Sequence, residues 1–259
     1  MEERIEYEQF PVIALRGLVV FPHTTTHFEA GREKSLRAIE KAMKADQRVL
    51  LLPQRSVMDN DPDFDALNSV GTVAHIKQIV RAPGEAARLL VEGLYRVLVV
   101  TALKTEPYLC AKTVRLQDET ATLTPKLEAM MRTAYRLFEE YMELSQRPLH
   151  EEMLQMLSSK DAGEISDIAA QVAGFRYEDK LQLLNQMQPG KRLFRCNHLM
   201  NHELDILSIE EEMQDKAQES MNKDQRDYFL REQMKAIRQE LGEEDDDADD
   251  YEERIKALH

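Results

Sequence analysis

Three short motifs contain residue types that bind metals or catalyse reactions, and the first is an acidic stretch. In DNDPDFDAL, Asp61, Asp63 and Asp65 occupy alternate positions, as carboxylates do at the start of a calcium-binding loop. The glycine that such a loop requires next is replaced by Ala66, and the position of its bidentate glutamate holds Thr72. We therefore interpret the stretch as a solvated loop rather than a metal site.

The second motif, HTTTH, places His23 and His27 four residues apart, which is the spacing of zinc ligands on a helix. Pro22 and the three threonines favour an extended chain, in which this spacing separates the two histidines by about 13 Å. The glutamate of an H-E-x-x-H site is also missing. These histidines are better interpreted as surface or packing residues.

The third motif, SSKDAG at residues 158–163, brings serines close to Lys160, and a Ser–Lys pair can act as nucleophile and base. The motif lies at a predicted helix end, where Ser and Asp cap free backbone N–H groups, so capping is the favoured interpretation. The sequence contains no G-x-x-x-x-G-K-[ST] and no G-x-G-x-x-G loop for nucleotide phosphates. We predict no catalytic residue, no cofactor-binding residue and no metal ligand in this chain.

Methionines give a signal of a different kind, because ten of the 13 lie at or beyond Met130. Unbranched, polarizable side chains suit surfaces that accept varied apolar partners, but they also fill the core of a helical bundle. Core filling is favoured, and binding of exposed hydrophobic polypeptide stays open as the alternative. In that alternative, the candidate contacts to substrate or to another subunit in this region are Met130, Met131, Met153 and Met156.

The elements that must position these residues begin with a β-rich lobe, predicted over residues 1–118. Short runs rich in Val, Ile and Leu alternate with turn residues there. One helix interrupts them, in GREKSLRAIEKAMK, where Leu36, Ile39 and Met43 fall on one face. The predicted strands are 11–15, 18–21, 48–53, 72–80, 88–100 and 108–116.

A helical bundle is predicted next, over residues 119–190. Thr124 is suited to be an N-cap with Pro125 at the first helical position, and the helix should end before Pro148. Three further amphipathic segments follow, at about 149–159, 164–173 and 177–188.

Residues 191–242 are predicted to form a long helix, since neither Gly nor Pro occurs from 191 to 241 and Gly242 supplies a stop signal. The remaining 243–259 should be an acidic linker and the start of a further helix, which suggests that more protein follows. Apolar residues near the end of the long helix, spaced 4, 3 and 4, form the narrow seam of a coiled coil and are further candidate contacts. They are Leu230, Met234, Ile237 and Leu241.

The net charge of −14 is concentrated near the end of the chain. Residues 1–202 contain 26 Lys and Arg against 28 Asp and Glu, whereas residues 203–259 contain 8 against 20. Nucleic-acid binding needs a basic stripe, which the sequence lacks, and the apolar runs are far shorter than the roughly 20 residues that span a bilayer. With two cysteines and no signal-peptide pattern, we expect a soluble cytoplasmic protein without nucleic-acid or membrane partners.

Four segments closely resemble the N-terminal region of Lon, the ATP-dependent serine protease of bacteria and organelles, and they occur in family order. The chain departs from the family at Ala14, where Leu or Pro is common, and in TTTHFEA, which lacks the usual apolar residues. The matching segments are FPVIALRGLVVFPHTTTHFEAGREKSLRAIEKAM, VGTVAHIKQIV, LLVEGLYRV and QRDYFLREQMKAIRQELGE.

The resemblance implies an α+β fold, with a PUA-like pseudo-barrel lobe, a helical bundle and a long helix that leads to an AAA+ ATPase module. It also implies a non-catalytic segment that recognises misfolded, damaged or degron-tagged proteins and helps a homohexamer assemble. ATP and Mg²⁺, like the Ser–Lys dyad, are expected only in modules beyond His259. The alternative is a self-sufficient protein-binding module, acting as a holdase or adaptor with no attached protease.

Overall fold

The computed structural model describes residues 6–80, 86–118, 124–145, 156 and 158–240, with residues 239 and 240 described by their backbone alone. Its contacts divide the chain into two units, Met1–Ile206 and Leu207–His259. The strands are β1 (Tyr7–Leu15), β2 (Thr25–Ala30), β3 (Arg48–Pro53), β4 (Val70–Val80), β5 (Ala87–Lys104) and β6 (Cys110–Arg115). The helices are α1 (Glu33–Met43), α2 (Pro125–Leu144), α3 (Ala162–Val172), α4 (Tyr177–Asn185) and α5 (Pro189–Glu240), with a 3₁₀ turn at Phe64–Ala66.

The six strands form one sheet in the order β2-β5-β4-β3-β1-β6, and β6 also pairs with β5. This second pairing closes β5, β4, β3, β1 and β6 into a barrel, while β2 pairs with the first half of β5. Two register shifts in the β5–β6 ladder and two in the β4–β5 ladder are bulges, which bend a strand as closure requires. The predicted β-rich pseudo-barrel lobe is confirmed.

Apolar residues on both faces of the barrel strands are buried, so the strands contribute to two separate cores. Leu51 of β3 belongs to the core under α1, whereas its neighbours Leu50 and Leu52 belong to the core on the other face. Successive side chains of a strand point to opposite faces, so a strand covered on both sides needs an unbroken apolar run. The run RVLLLP meets this requirement.

Three details of the lobe differ from the sequence prediction. Residues 18–21 were predicted as a strand, but Val19, Val20 and Phe21 are buried without belonging to one, since apolar content alone does not separate a strand from a buried loop. Strand β2 was missed, because TTHFEA carries few apolar residues at the sheet edge. In α1 the buried face comprises Ser35, Ala38, Ile39 and Ala42, so that Met43 is largely exposed.

Helix α2 begins where its predicted capping residues place it. The Thr124 side chain accepts a hydrogen bond from Leu127 N at 3.2 Å, and Pro125 is the first residue of α2. Most of the segment predicted at 149–159 lies outside the described residues. The boundaries at 118, 190 and 242 stay a prediction: α5 starts at Pro189, whereas the contact-based division falls within this helix, after Ile206.

Buried charges connect the barrel to the helices within the first unit. Arg96 of β5 donates two hydrogen bonds of 2.6 Å to the carboxylate of Asp167 in α3, and its Nε donates to Leu184 O at 3.0 Å. Arg192 of α5 lies 3.2 Å from the same carboxylate and also pairs with Asp118, which follows β6. Arg96, Asp167 and Arg192 are almost completely buried. We call these four charged residues, Arg96, Asp118, Asp167 and Arg192, the ionic joint.

Replacing Asp167 with Ala should destabilise the first unit by about 3–5 kcal/mol, because two buried guanidinium groups would lose a shared counter-charge. Urea unfolding followed by circular dichroism measures this change. Glu139→Ala on the exposed face of α2 is the control and should change stability by about 0.5 kcal/mol or less. Similar stabilities for the two variants would contradict the role given to the joint.

Gly93 of β5 should not tolerate Ala, because a Cβ there would lie 2.1 Å from Phe21 O, a backbone atom. We expect Gly93→Ala to lower the free energy of unfolding by about 1–3 kcal/mol, as overpacking does. Gly190→Ala is the matched control, since its Cβ would meet only Leu127 Cδ1, at 3.8 Å. Urea unfolding of both variants tests this prediction. A Gly93→Ala protein as stable as the parent would contradict it, because the backbone at Phe21 would then have moved away from the added methyl group.

Candidate functional site

The motifs that could have carried chemistry have structural roles. Asp61 and Asp63 lie 3.2 and 4.0 Å from Lys34 Nζ, and the hydrogen bond from Lys34 to Asp61 raises the pKa of this lysine. His23 adopts a left-handed backbone conformation before β2, and His27 lies within β2 opposite Leu90. The described part of the chain contains no group of three or more His, Cys, Asp or Glu residues placed to hold a metal ion.

The SSKDAG motif is a helix cap, as predicted. The carboxylate of Asp161 accepts hydrogen bonds from Gly163 N at 2.7 Å and Glu164 N at 2.9 Å, at the start of α3. Ser159 Oγ donates to Glu164 Oε2 at 2.7 Å and accepts from Asp161 N at 3.1 Å. These bonds satisfy first-turn N–H groups of the helix, which is the role of a cap.

Neither cysteine is suited to act as a nucleophile, because nucleophilic attack requires the thiolate. Cys196 is buried beneath α3, and its Sγ lies 3.7 Å from Ser166 O. Burial, reinforced by the nearby charge of Asp167, raises the pKa of Cys196 to about 12. Burial also raises the pKa of Cys110. Both thiols are free.

Two of the four candidate contact methionines of the bundle lie in the interior of the first unit. Met131 and Met156 are buried, so both fill the core and neither presents a surface to a partner. Met130 is half-buried, and its carbonyl accepts a hydrogen bond from Asn197 Nδ2. Met153 lies outside the described residues. For Met131 and Met156 the favoured interpretation from sequence, core filling, agrees with their burial.

The apolar seam residues of the second unit are exposed. Leu230, Met234 and Ile237 keep 46%, 56% and 55% of their surface accessible, whereas Leu241 lies outside the described residues. Sequence reasoning singled out only the seam and so missed the other large apolar side chains that this unit exposes. These are Ile209, Met213, Met221, Tyr228 and Phe229. Adjacent aromatic residues on a charged helix were the signal that could have revealed Tyr228 and Phe229.

A second apolar surface lies on the first unit, beside α1. Leu36, Ile39 and Met43 of the helix form a shallow cavity of about 200 Å³ with Ile79 of β4 and Ala87 of β5. Glu40 and Lys44 stand at its rim, and the neighbouring Val80 is 56% exposed. We call this cavity the α1 groove. Its three helix residues are the ones that periodicity placed on one face of the helix.

These exposed surfaces occur on a chain whose described helices include none long and apolar enough to cross a membrane. Contiguous apolar surface on a protein marks an interaction site for protein or ligand. Since the chemistry-bearing motifs of the described residues serve folding and large apolar side chains are accessible, the arrangement is suited to bind another polypeptide.

The family profile described as "ATP-dependent protease La (LON) substrate-binding domain" matches residues 9–202. Among curated proteins, Lon protease of Syntrophomonas wolfei subsp. wolfei is 35% identical over 261 residues, which cover 100% of this chain and 32% of that protein. Lon protease of Xanthomonas oryzae pv. oryzae is 38% identical over 254 residues, which cover 98% of this chain and 30% of that protein. The chain spans about a third of the length of these relatives.

Solved structures show the same fold. The N-terminal domain of Mycobacterium avium complex Lon protease superposes with a TM-score of 0.60 at 19% identity and covers 75% of this chain and 98% of its own. A Lon N-terminal domain protein from Xanthomonas campestris gives a TM-score of 0.52 at 14% identity, with 73% and 96% covered. These matches confirm the order of a β-rich lobe followed by helices.

The two thiols should differ in reactivity, because Cys196 is buried with a pKa of about 12 while Cys110 is partly exposed. At mildly alkaline pH, Ellman's reagent should modify Cys110 of the folded protein well before Cys196, and both at once in denaturant. A Cys110→Ser variant is the control and should react only on unfolding. Rapid reaction of this variant in its folded state would contradict the burial of Cys196.

Proposed function

The chain belongs to the family of Lon substrate-binding domains, and on this premise we propose that it captures unfolded or degron-bearing polypeptides through its exposed apolar side chains. The observation that carries the proposal is the exposure of Tyr228, Phe229 and the described seam residues, Leu230, Met234 and Ile237, together with the α1 groove. Apolar surface is the feature that separates an unfolded client from a folded protein, so recognition needs no specific sequence.

The role is binding rather than catalysis, since residues 9–202 match the substrate-binding domain and the chain contains neither the ATPase nor the protease module of the family. We propose that the whole protein is an ATP-dependent serine protease of the cytoplasm. ATP and Mg²⁺ would then act in its ATPase module, and this segment would deliver clients without contacting nucleic acid or membrane.

Affinity at a single site should be weak. Burial of apolar surface contributes about 25 cal/mol per Å² before the costs of ordering and association, so a few hundred Å² leave little net binding energy. We propose that the family's homohexameric assembly compensates, because several sites near one another raise the effective concentration of client segments. The seam residues Leu230, Met234, Ile237 and Leu241 would contribute to packing between subunits as well as to client contact.

Removing the exposed apolar side chains of the second unit should weaken client binding. We expect the triple variant Phe229→Ser, Met234→Ser, Ile237→Ser to bind a fluorescently labelled, reduced and alkylated unfolded protein about tenfold more weakly than the parent chain. Fluorescence anisotropy measures this affinity. The matched control replaces three exposed polar residues of the same helix, Gln218, Lys223 and Arg231, by Ser, and should bind as the parent does.

Avidity gives a second expected result from the same assay. The chain fused to a hexameric scaffold should bind the unfolded client at least about tenfold more tightly per subunit than the isolated chain. A folded protein of similar size serves as the negative client and should bind to neither form. Equal affinities of the isolated and hexameric forms would contradict binding through several weak sites.

A further inference from the structure

A cavity of about 480 Å³ lies in the barrel lobe, between the end of β1, the second half of β2 and the start of α1. Its volume falls within the roughly 300–1,000 Å³ typical of ligand pockets. Ile13, Leu15 and Ala30 form a buried apolar floor, and the half-buried Leu18 and Phe28 stand beside them. The cavity is separate from the α1 groove and can hold apolar side chains.

Two arginines give this cavity a positive charge. Arg32 donates to Ala14 O at 3.1 Å and to Gln54 Oε1 at 2.7 Å, and Arg16 donates to Val57 O at 2.6 Å and to Asn60 Oδ1 at 3.2 Å. All four acceptors are neutral. Across the described ranges, neither guanidinium has a carboxylate within 4.0 Å. Two like charges are thus fixed at one cavity with no described carboxylate in direct ion-pair contact, although Asp59 and Asp61 lie near enough to act on Arg32.

The charged residues that line the cavity favour the binding of an anion. Burial and then repulsion from Arg16 lower the pKa of Arg32, although Asp61 and Asp59 act in the opposite direction. The one carboxylate in the lining, Glu29, is paired with Arg88 at 2.7 Å, so part of its charge is offset. An anionic group placed between the arginines would relieve their repulsion.

The N-terminus of α1 adds hydrogen-bond donors. Arg32 is its N-cap and no side chain caps this 11-residue helix, which leaves the first-turn N–H groups free for an anion. Ser35, in that first turn, lines the cavity and is only 5% exposed. Its hydroxyl makes no hydrogen bond to another described residue and is not among the fully buried unpartnered atoms, so it stays accessible at the cavity wall. It can therefore donate a hydrogen bond to an acceptor on a ligand.

Strand β2, which lines the cavity through Phe28, Glu29 and Ala30, also has a sheet edge that could pair with a peptide backbone. It pairs with β5 along one edge, and no strand of the described chain pairs with its other edge. An extended peptide can add to such an edge through main-chain hydrogen bonds, with its side chains in neighbouring pockets.

We propose that this cavity binds the C-terminal carboxylate and the last apolar side chains of an extended client polypeptide, an inference that rests on the proposed function. At the C-terminus of an extended client that ends in apolar residues, the carboxylate lies directly beside an apolar side chain and an extended backbone. The cavity presents the three complementary features: paired arginines with helix N–H groups, an apolar floor, and an open strand edge. A small inorganic anion would leave the floor and the edge unused.

Three labelled decapeptides test the proposal by fluorescence anisotropy: one ending in Leu-Val with a free carboxylate, the same peptide as a C-terminal amide, and one ending in Ser-Ser with a free carboxylate. The first should bind at least about tenfold more tightly than either of the others, because hydrogen bonds to a charged group are strong and the apolar floor stays empty for Ser-Ser. Equal affinity of the acid and the amide would overturn the proposal. So would equal affinity of the Leu-Val and Ser-Ser acids, which would assign the cavity to small anions.

Variants locate the effect. Arg16→Gln and Ser35→Ala should each reduce affinity for the free acid by about threefold to tenfold and leave the amide unchanged, since each removes one anion contact. Arg132→Gln, exposed on α2 and paired there with Glu128, is the matched control and should bind as the parent does. Circular dichroism verifies that each variant is folded. Full binding of the acid by the Arg16→Gln protein would contradict the site.

An unfolded client with a blocked C-terminus separates the cavity inference from the proposed function. An unfolded client with an amidated C-terminus should still bind through the exposed apolar residues of the second unit and the α1 groove. If that client binds while acid and amide peptides behave alike, the cavity inference is wrong and the proposed function stands. If only the acid peptide binds, in an Arg16-dependent way, the cavity inference stands and capture through apolar surface is wrong.

Discussion

The ionic joint is the constraint on which the architecture of the first unit depends. A guanidinium on a barrel strand and another on α5 share the carboxylate of Asp167, with almost no solvent to replace any partner. Gly163 leaves space for this arrangement, because a Cβ there would lie 2.6 Å from Arg192 Nη2. Such a cluster contributes little net stability over apolar packing, but it tolerates one geometry only. It therefore fixes the helices to the barrel in a defined position, as Tyr177 also does through its hydrogen bond of 2.5 Å to Gln54 O.

Much of the fold followed from local sequence signals. Alternation and apolar runs located β1, β3, β4, β5 and β6, and Thr124 with Pro125 marked the start of α2. These features are visible because propensity, capping and burial agree at each position. Strand β2 was not predictable in this way, since its residues are held by pairing with β5 rather than by an apolar face.

The surfaces proposed to bind clients were harder to predict than the fold. Periodicity shows which residues share a helix face, but burial depends on what packs there, so Met131 proved to be core while Leu230 is exposed. The ionic joint combines residues far apart in sequence, such as Arg96 with Asp167, and the cavity brings Arg16 to Arg32 and Ser35 from a different element, so that no motif identifies either set. Long-range juxtaposition is the information that a single sequence lacks.

The closure of the barrel has a consequence for synthesis of the chain. Strand β1 pairs along one edge with β3 but along the other with β6, where Tyr7 is opposite Val114. A ribosome makes the protein from its N-terminus, so the first strand waits with an open edge until the sixth has emerged. Chains with such distant pairings fold slowly and expose unpaired edges meanwhile. A domain proposed to capture unfolded proteins thus itself exposes, while being made, the kind of unpaired strand edge that marks an unfinished protein.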